Sequence, residues 1–304
     1  MTSKTEQRFR SGLFFAIAGT ALFSLKSIFI KLAFQEGIDA TTLLTLRMLI
    51  AFPFYIMVLL YAMKTRPEKA ALFTKKDGIA ILGLGFLGYY LASYLDFEGL
   101  SYISAQLERL TLFTYPIMVA LLGWVFFREK ITLNIFASLA ISYIGVSFLF
   151  FNESSIGVAI SPSDKTLGTA LVAFAAMSFA VYVIFSKAFI SRLGSLIFTS
   201  IAMSSSLVFI LIQFFATHDI SALNVSPKLW GLSILLAVFS TLIPSFFTSE
   251  AINRIGATRT SIMGTLGPVV TIILAVNLLG EAFGWPQIIG LLLVLIGVSL
   301  LRSK

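Results

Sequence analysis

Ten apolar runs, each about long enough to cross a bilayer as a helix, dictate what this chain can become. They fall near 11–33, 40–62, 78–97, 102–127, 131–151, 166–189, 195–216, 229–249, 258–280 and 285–301. A spanning helix needs about 20 mostly apolar residues. Strands of a membrane barrel are about half as long and alternate apolar with polar residues, which these runs do not. Composition agrees: 58% of residues are hydrophobic and 12% charged, against about 25% charged in ordinary soluble domains. The expected fold class is therefore an all-α integral membrane protein with ten transmembrane helices.

Lysine and arginine between the runs set the expected orientation. With both termini placed inside, sixteen of the 22 basic residues fall in inner segments and three (Lys31, Lys165, Lys228) in outer ones. The remaining three, Lys26, Arg47 and Arg109, lie within spans. The net charge of +8 thus reads as a topology signal, not as a nucleic-acid footprint. The basic amino terminus leads into a run that contains Lys26 and outlasts a signal peptide, so a first span is expected rather than a cleaved leader.

The chain also repeats itself. At an offset of 152, Glu98 meets Glu250, Ile103 meets Ile255, Pro116 meets Pro268, Glu129 meets Glu281, and "IGVS" at 144–147 meets "IGVS" at 296–299. At an offset of 156, "GLFFAIAGTALFSLKSIFIK" (12–31) meets "GTALVAFAAMSFAVYVIFSK" (168–187). Two five-helix repeats follow. Because five is odd, the second copy enters the membrane from the opposite face. Inverted repeats place a binding site between the halves, near the midplane.

Several chemistries are excluded or disfavoured. Cysteine is absent and His218 is the sole histidine, which removes thiol nucleophiles and Cys/His metal sites. No phosphate-binding GxxxxGK[ST] loop occurs, so ATP-driven pumping is disfavoured. No cofactor, metal site or catalytic residue is expected, and the chain reads as no enzyme.

The segments "PIMVALLGWVFFREKITLNIFASLAISYIGVSFL" and "PVVTIILAVNLLGEAFGWPQIIGLLLVLIGVSLL" resemble the paired repeats of the EamA family in the drug/metabolite transporter superfamily. The shared pattern is a proline, an apolar run, a glutamate at its end, and a Gly-Val near the end of the next span. The resemblance implies two EamA-like repeats, 1–151 and 166–304, around a central cavity. It also implies movement of small metabolites across a cytoplasmic inner membrane, with export favoured over import. Expected partners are a small-molecule metabolite and the lipid bilayer, with no nucleic acid; a homodimer is left open.

Charge inside the spans marks the candidate site. At 1.5 Å rise per residue, Arg109 lies about 10 Å inside the outer end of the fourth run, and Lys26, Arg47 and Glu108 share its layer. Such charges must face water, one another or a ligand. Glu108 and Arg109 point about 100° apart on a helix, so they serve different partners. Two readings stay open: a structural charge network, to which Asp96 and Glu98 could contribute, or cations that hold an anionic group of a cargo. The candidate substrate-binding residues are Lys26, Arg47, Tyr90, Tyr94, Glu108 and Arg109. Pro116 and Pro268, at equivalent repeat positions, are candidate hinges. Pro53, Pro116, Pro244 and Pro268 are all expected to interrupt spans. Gly83, Gly85, Gly88, Gly264 and Gly267 are expected at close helix contacts, and Glu129 and Glu281 as caps of neighbouring helix ends. The function expected is secondary transport of anionic or zwitterionic metabolites such as amino acids by alternating access. A channel and a membrane-embedded lipid-modifying enzyme are the rivals.

Overall fold

The computed structural model describes residues 3–128, 133–152, 161–256, 259–260, 263–264 and 266–300. Among them there is no strand. The helices are α1 (Ser3–Gln35), α2 (Ala40–Thr65), the short α3 (Pro67–Ala70), α4 (Lys75–Gly85), α5 (Ala92–Tyr102), α6 (Ala105–Leu112), α7 (Tyr115–Phe127) and α8 (Leu133–Asn152). They continue with α9 (Pro162–Leu193), α10 (Ser195–Thr217), α11 (Pro227–Ala237), α12 (Ile243–Ile255), α13 (Leu266–Leu274) and α14 (Trp285–Leu300). Among the described residues, seven spans are long and apolar enough to cross a membrane: Glu6–Gln35, Ala40–Thr65, Lys75–Tyr102, Ala105–Phe126, Pro162–Leu193, Ser195–Thr217 and Pro227–Ile255. The other three apolar runs contain shorter apolar helices, Ala140–Asn152, Leu266–Leu279 and Trp285–Gly297. The chain is a multi-pass membrane protein.

The most extensive packing joins helices distant in sequence: α1 on α12, α2 on α10, α5 on α9, and α8 on α14. Glycine allows two of these crossings. A Cβ on Gly99 would lie 2.8 Å from the Gly168 carbonyl oxygen, and one on Gly145 would lie 2.8 Å from that of Gly290. Of the glycines expected at contacts, Gly85 faces the Ala202 carbonyl, Gly88 the Tyr182 ring and Gly267 the Phe113 ring. Gly83 has nothing within 4 Å of its would-be Cβ, so the expectation fails there: its side of α4 faces outward.

Two of the seven longer spans carry π-helical segments, Phe86–Leu91 between α4 and α5 and Val238–Leu242 between α11 and α12, and a third π segment, Ala275–Leu279, follows α13. A π-turn shifts the backbone register and loosens its hydrogen bonding. Side chains take up part of the freed capacity. Ser178 Oγ donates to the Leu87 carbonyl at 2.7 Å, and Thr241 Oγ1 donates to the Leu236 carbonyl at 3.0 Å.

The prolines behave differently from expectation. Of these four prolines, Pro53 alone has regular α-helix on both sides. Pro116 stands in the first turn of α7, after a tight turn in which Thr114 N–H donates to the Thr111 carbonyl at 3.1 Å. Pro268 follows a comparable turn, Gly267 N–H to the Gly264 carbonyl at 2.8 Å, at the start of α13. Pro244 stands two positions past the second π segment, inside the continuous span Pro227–Ile255. A first-turn proline loses no intrahelical bond, so at Pro116 and Pro268 the chain breaks the helix before the proline instead of kinking through it.

Glu281 lies between the third π segment, Ala275–Leu279, and α14. Its carboxylate caps the start of α6, accepting from Ala105 N–H at 2.8 Å and Gln106 N–H at 3.3 Å. Burial pushes its pKa up against those two hydrogen bonds. Glu129 lies outside the described residues.

Candidate functional site

A cavity of about 100 Å³ opens between α1, α2, the two π-bearing spans, the break between α6 and α7, and α9. Its walls come in pairs. From the first π-bearing span come Gly88, Tyr89, Ala92, Ser93 and Asp96; from the second come Ser240, Thr241, Pro244, Ser245 and Thr248, each 152 positions further on. Gly19, Phe23 and Lys26 of α1 answer to Ala175, Phe179 and Tyr182 of α9 at the offset of 156, as Arg47 of α2 answers to Met203 of α10. Register, not composition, is what these paired positions share.

The chemistry of the pairs is unequal. Lys26, Arg47 and Asp96 bring charge, whereas their counterparts Tyr182, Met203 and Thr248 bring hydroxyls and a thioether. The cavity therefore has one charged side and one neutral, hydroxyl-rich side. Tyr89 and Tyr182 join their hydroxyls at 2.7 Å, and Ser245 meets the Tyr55 hydroxyl at 2.9 Å.

The buried charges divide by role. Relative exposure is 4% for Lys26, 3% for Arg47, 1% for Asp96, and 0% for Glu108 and Arg109. Lys26 forms an ion pair with Asp96 and stands 3.9 Å from Glu108 Oε1. Ser27 Oγ donates to Glu108 Oε2 at 2.6 Å and accepts from Arg109 Nη2 at 3.0 Å. Arg109 also donates through Nη2 to the Phe23 carbonyl and through Nε to Thr271 Oγ1, both at 3.0 Å. It thus ties α6 to α1 and α13, one turn from Pro268. As their angular separation on the helix requires, Glu108 and Arg109 serve different partners.

Arg47 differs from the rest. Among the described residues it makes no hydrogen bond or ion pair, and its Nε is buried without a partner. Its guanidinium stacks on the Phe97 ring at 4.9 Å and reaches the cavity wall.

Of the six candidate binding residues, the structure brings Lys26 and Arg47 to the cavity. Glu108 and Arg109 sit behind it. Tyr90 and Tyr94 do not line it: they stack on each other at 6.4 Å, with Tyr90 also stacked on Phe209 at 5.9 Å. Of the two acids expected to absorb charge, Asp96 does so, whereas Glu98 accepts from the Tyr102 hydroxyl at 3.3 Å. The sequence reading missed the neutral side, Tyr182, Ser240, Thr241, Ser245 and Thr248. Applying the two repeat offsets to the charged layer would have found Tyr182 and Thr248. His218 lies outside the cavity, 3.5 Å from Asp39.

The EamA-like transporter family model matches residues 10–151 and 166–303. An uncharacterized transporter of Bacillus subtilis, YcbK, is 29% identical over 92% of this chain and 89% of its own length. A second from that organism, YyaM, is 26% identical over 74% of this chain and 73% of its own, and an uncharacterized transporter of Archaeoglobus fulgidus is 28% identical over 75% and 79%. One protein of known crystal structure shares the fold with a TM-score of 0.68 over 96% of both chains, at 17% identity. With both family matches together spanning most of its length, the chain belongs to the EamA-like transporter family.

Proposed function

We propose that the protein is a secondary transporter that carries small anionic or zwitterionic metabolites, amino acids among them, through this cavity by alternating access. The carrying observation is Arg47: a buried guanidinium that, among the described residues, has no hydrogen bond or ion pair, at the wall of a cavity. A buried charge in that condition is costly, and a carboxylate matches its planar fork. Lys26, held by Asp96, adds positive potential beside it. The hydroxyl-rich side suits the polar remainder of the cargo.

The architecture favoured is ten spans in two inverted five-helix repeats, 1–151 and 166–304. Supporting it, the contacts α1–α12 and α5–α9 exchange when the halves are exchanged, and α2–α10 and α8–α14 map onto themselves. The helix breaks before Pro116 and Pro268 are the hinges in this reading, being discontinuities at equivalent positions beside the cavity. The distribution of basic residues supports cytoplasmic termini, and the family supports a cytoplasmic inner membrane, export and a role other than catalysis.

The test is thermal stability of the purified protein against L-glutamate, L-lactate, L-phenylalanine and choline. A ligand at a hundred times its Kd stabilises by about 2.7 kcal/mol. Stabilisation by the acids or amino acids that vanishes in Arg47→Met supports the reading. Stabilisation by choline alone, or by acids equally in the variant, overturns it. Counterflow in proteoliposomes separates a carrier from a channel, which shows none.

A further inference from the structure

Asp96 and Glu108 stand on different helices, α5 and α6, yet both carboxyl groups converge on the ammonium of Lys26, Asp96 in an ion pair and Glu108 with its Oε1 at 3.9 Å. Each carries an oxygen without a hydrogen-bond donor, Asp96 Oδ1 and Glu108 Oε1, in a site from which water is nearly excluded. Two carboxylates so close, away from water, repel strongly, and one proton held between them removes the repulsion. It would also provide the donor that both orphaned oxygens lack.

Their surroundings compensate one negative charge better than two. Lys26 of α1 is committed to Asp96 and is 3.9 Å from Glu108. Arg109 is turned to Thr271, the Phe23 carbonyl and Ser27. Arg47 of α2 faces Asp96 from across the cavity wall without forming an ion pair. Glu281 caps the first turn of α6, bound to Ala105 and Gln106. Among the described residues, no hydrogen bond or ion pair from α8, α9 or α14 reaches either carboxyl.

We infer that Asp96 and Glu108 share a single proton, and that this proton binds to the transporter together with its anionic cargo. Asp96 lines the cavity while Glu108 lies behind it, so the pair exchanges its proton through the space the cargo occupies. The sign of the coupling follows from charge. With the proton bound, Lys26, Arg47 and Arg109 face one net negative charge; without it they face two. Protonation therefore strengthens anion binding, and by linkage the anion strengthens proton binding by the same factor. Proton and anion travel in the same direction, so efflux of a monoanion down its own gradient carries a proton out with it. This coupling rests on the anionic-cargo reading of the cavity; the shared proton does not.

The two parts are tested separately on the full-length protein in detergent. Infrared difference spectra across a pH titration, in light and heavy water, are expected to show a protonated-carboxyl band that persists in Glu281→Gln, where the other buried carboxyl no longer titrates. The band should be lost in Glu108→Gln and lost or shifted in Asp96→Asn. Ser27→Ala removes only the hydroxyl donated to Glu108 and should shift the band, which covers the case in which the acid variants do not fold. Absence of the band in the wild type overturns the shared proton, as does its survival unchanged in all three variants. Binding of L-glutamate and L-lactate is then measured calorimetrically in buffers of different ionisation enthalpy. Proton uptake approaching one per anion is expected, with affinity falling by about tenfold per pH unit once the free pair has lost its proton. Anion binding with no proton uptake overturns the coupling. A band in a protein that binds neither probe overturns the anionic-cargo reading, and with it the coupling, while the shared proton stands.

Discussion

Lys26 of α1 and Asp96 of α5, 70 positions apart, form an ion pair with side chains only 5% and 2% exposed. The pair closes one side of the cavity and fixes the first span against the third. It also leaves Arg47, the neighbouring cation of the same wall, without an ion-pair partner among the described residues.

Breaking that pair from one side strands the other charge. Lys26→Met or Asp96→Asn alone is expected to destabilise the protein by about 3–5 kcal/mol, and the double variant to recover most of that loss. Thermal unfolding in detergent of the two single variants and the double variant measures it. Additive losses would show that the two side chains act independently.

Arg47 and Arg109 should respond in opposite ways. Arg109→Met removes hydrogen bonds to Thr271, Ser27 and the Phe23 carbonyl, and even one charged hydrogen bond is worth about 1.5–3 kcal/mol. A lowered Tm is expected. Arg47→Met leaves no protein group without a hydrogen-bonding partner, so its Tm should hold or rise while stabilisation by acids disappears. Equal Tm losses in the two variants would contradict this division of roles.

The π-bearing third span offers a control within a few residues. A Cβ on Gly88 would lie 2.3 Å from Tyr182 Cγ, and one on Gly85 would lie 2.5 Å from the Ala202 carbonyl oxygen. Alanine at either position should destabilise by about 1–3 kcal/mol through overpacking. Gly83→Ala meets nothing within 4 Å and should be neutral or stabilising by up to about 1 kcal/mol, since alanine favours the helix. Unfolding midpoints of the three variants are the readout.

Glu281 ties the start of α6 to the segment before α14. Glu281→Ala leaves two helix N-terminal N–H groups uncapped, at a cost of about 0.5–2 kcal/mol. Burial raises the carboxyl pKa in the folded protein. Its titration therefore favours folding most below the unfolded carboxyl pKa, and that advantage is lost as pH rises through the folded value. Stability measured across the mildly acidic range should decline less steeply in Glu281→Gln than in the wild type.

The repeat offsets were legible in the sequence, and they proved to index the cavity wall. Residues 88, 89, 92, 93 and 96 and their partners 152 positions on all line it. What the offsets could not supply was rotation about each helix axis. Lys26, Arg47, Glu108 and Arg109 share a depth, and depth follows from counting residues at a fixed rise. Which of them meets the cavity depends on the angle each helix presents, and a π-turn resets that angle within a span. Tyr90 and Tyr94 are the example: four apart and near Asp96, they are turned away toward each other and Phe209.

The sequence shows a helical, membrane-embedded chain built on a repeating pattern, because apolar length and periodicity are properties of local segments. It also placed charge within the spans. Packing between helices is what pairs Asp96 with Lys26, sets Ser27 between Glu108 and Arg109, and leaves Arg47, among the described residues, without a hydrogen bond or ion pair. Those outcomes depend on contacts between helices far apart in the chain, and a buried charge takes its role from the neighbours that such packing brings within about 4 Å.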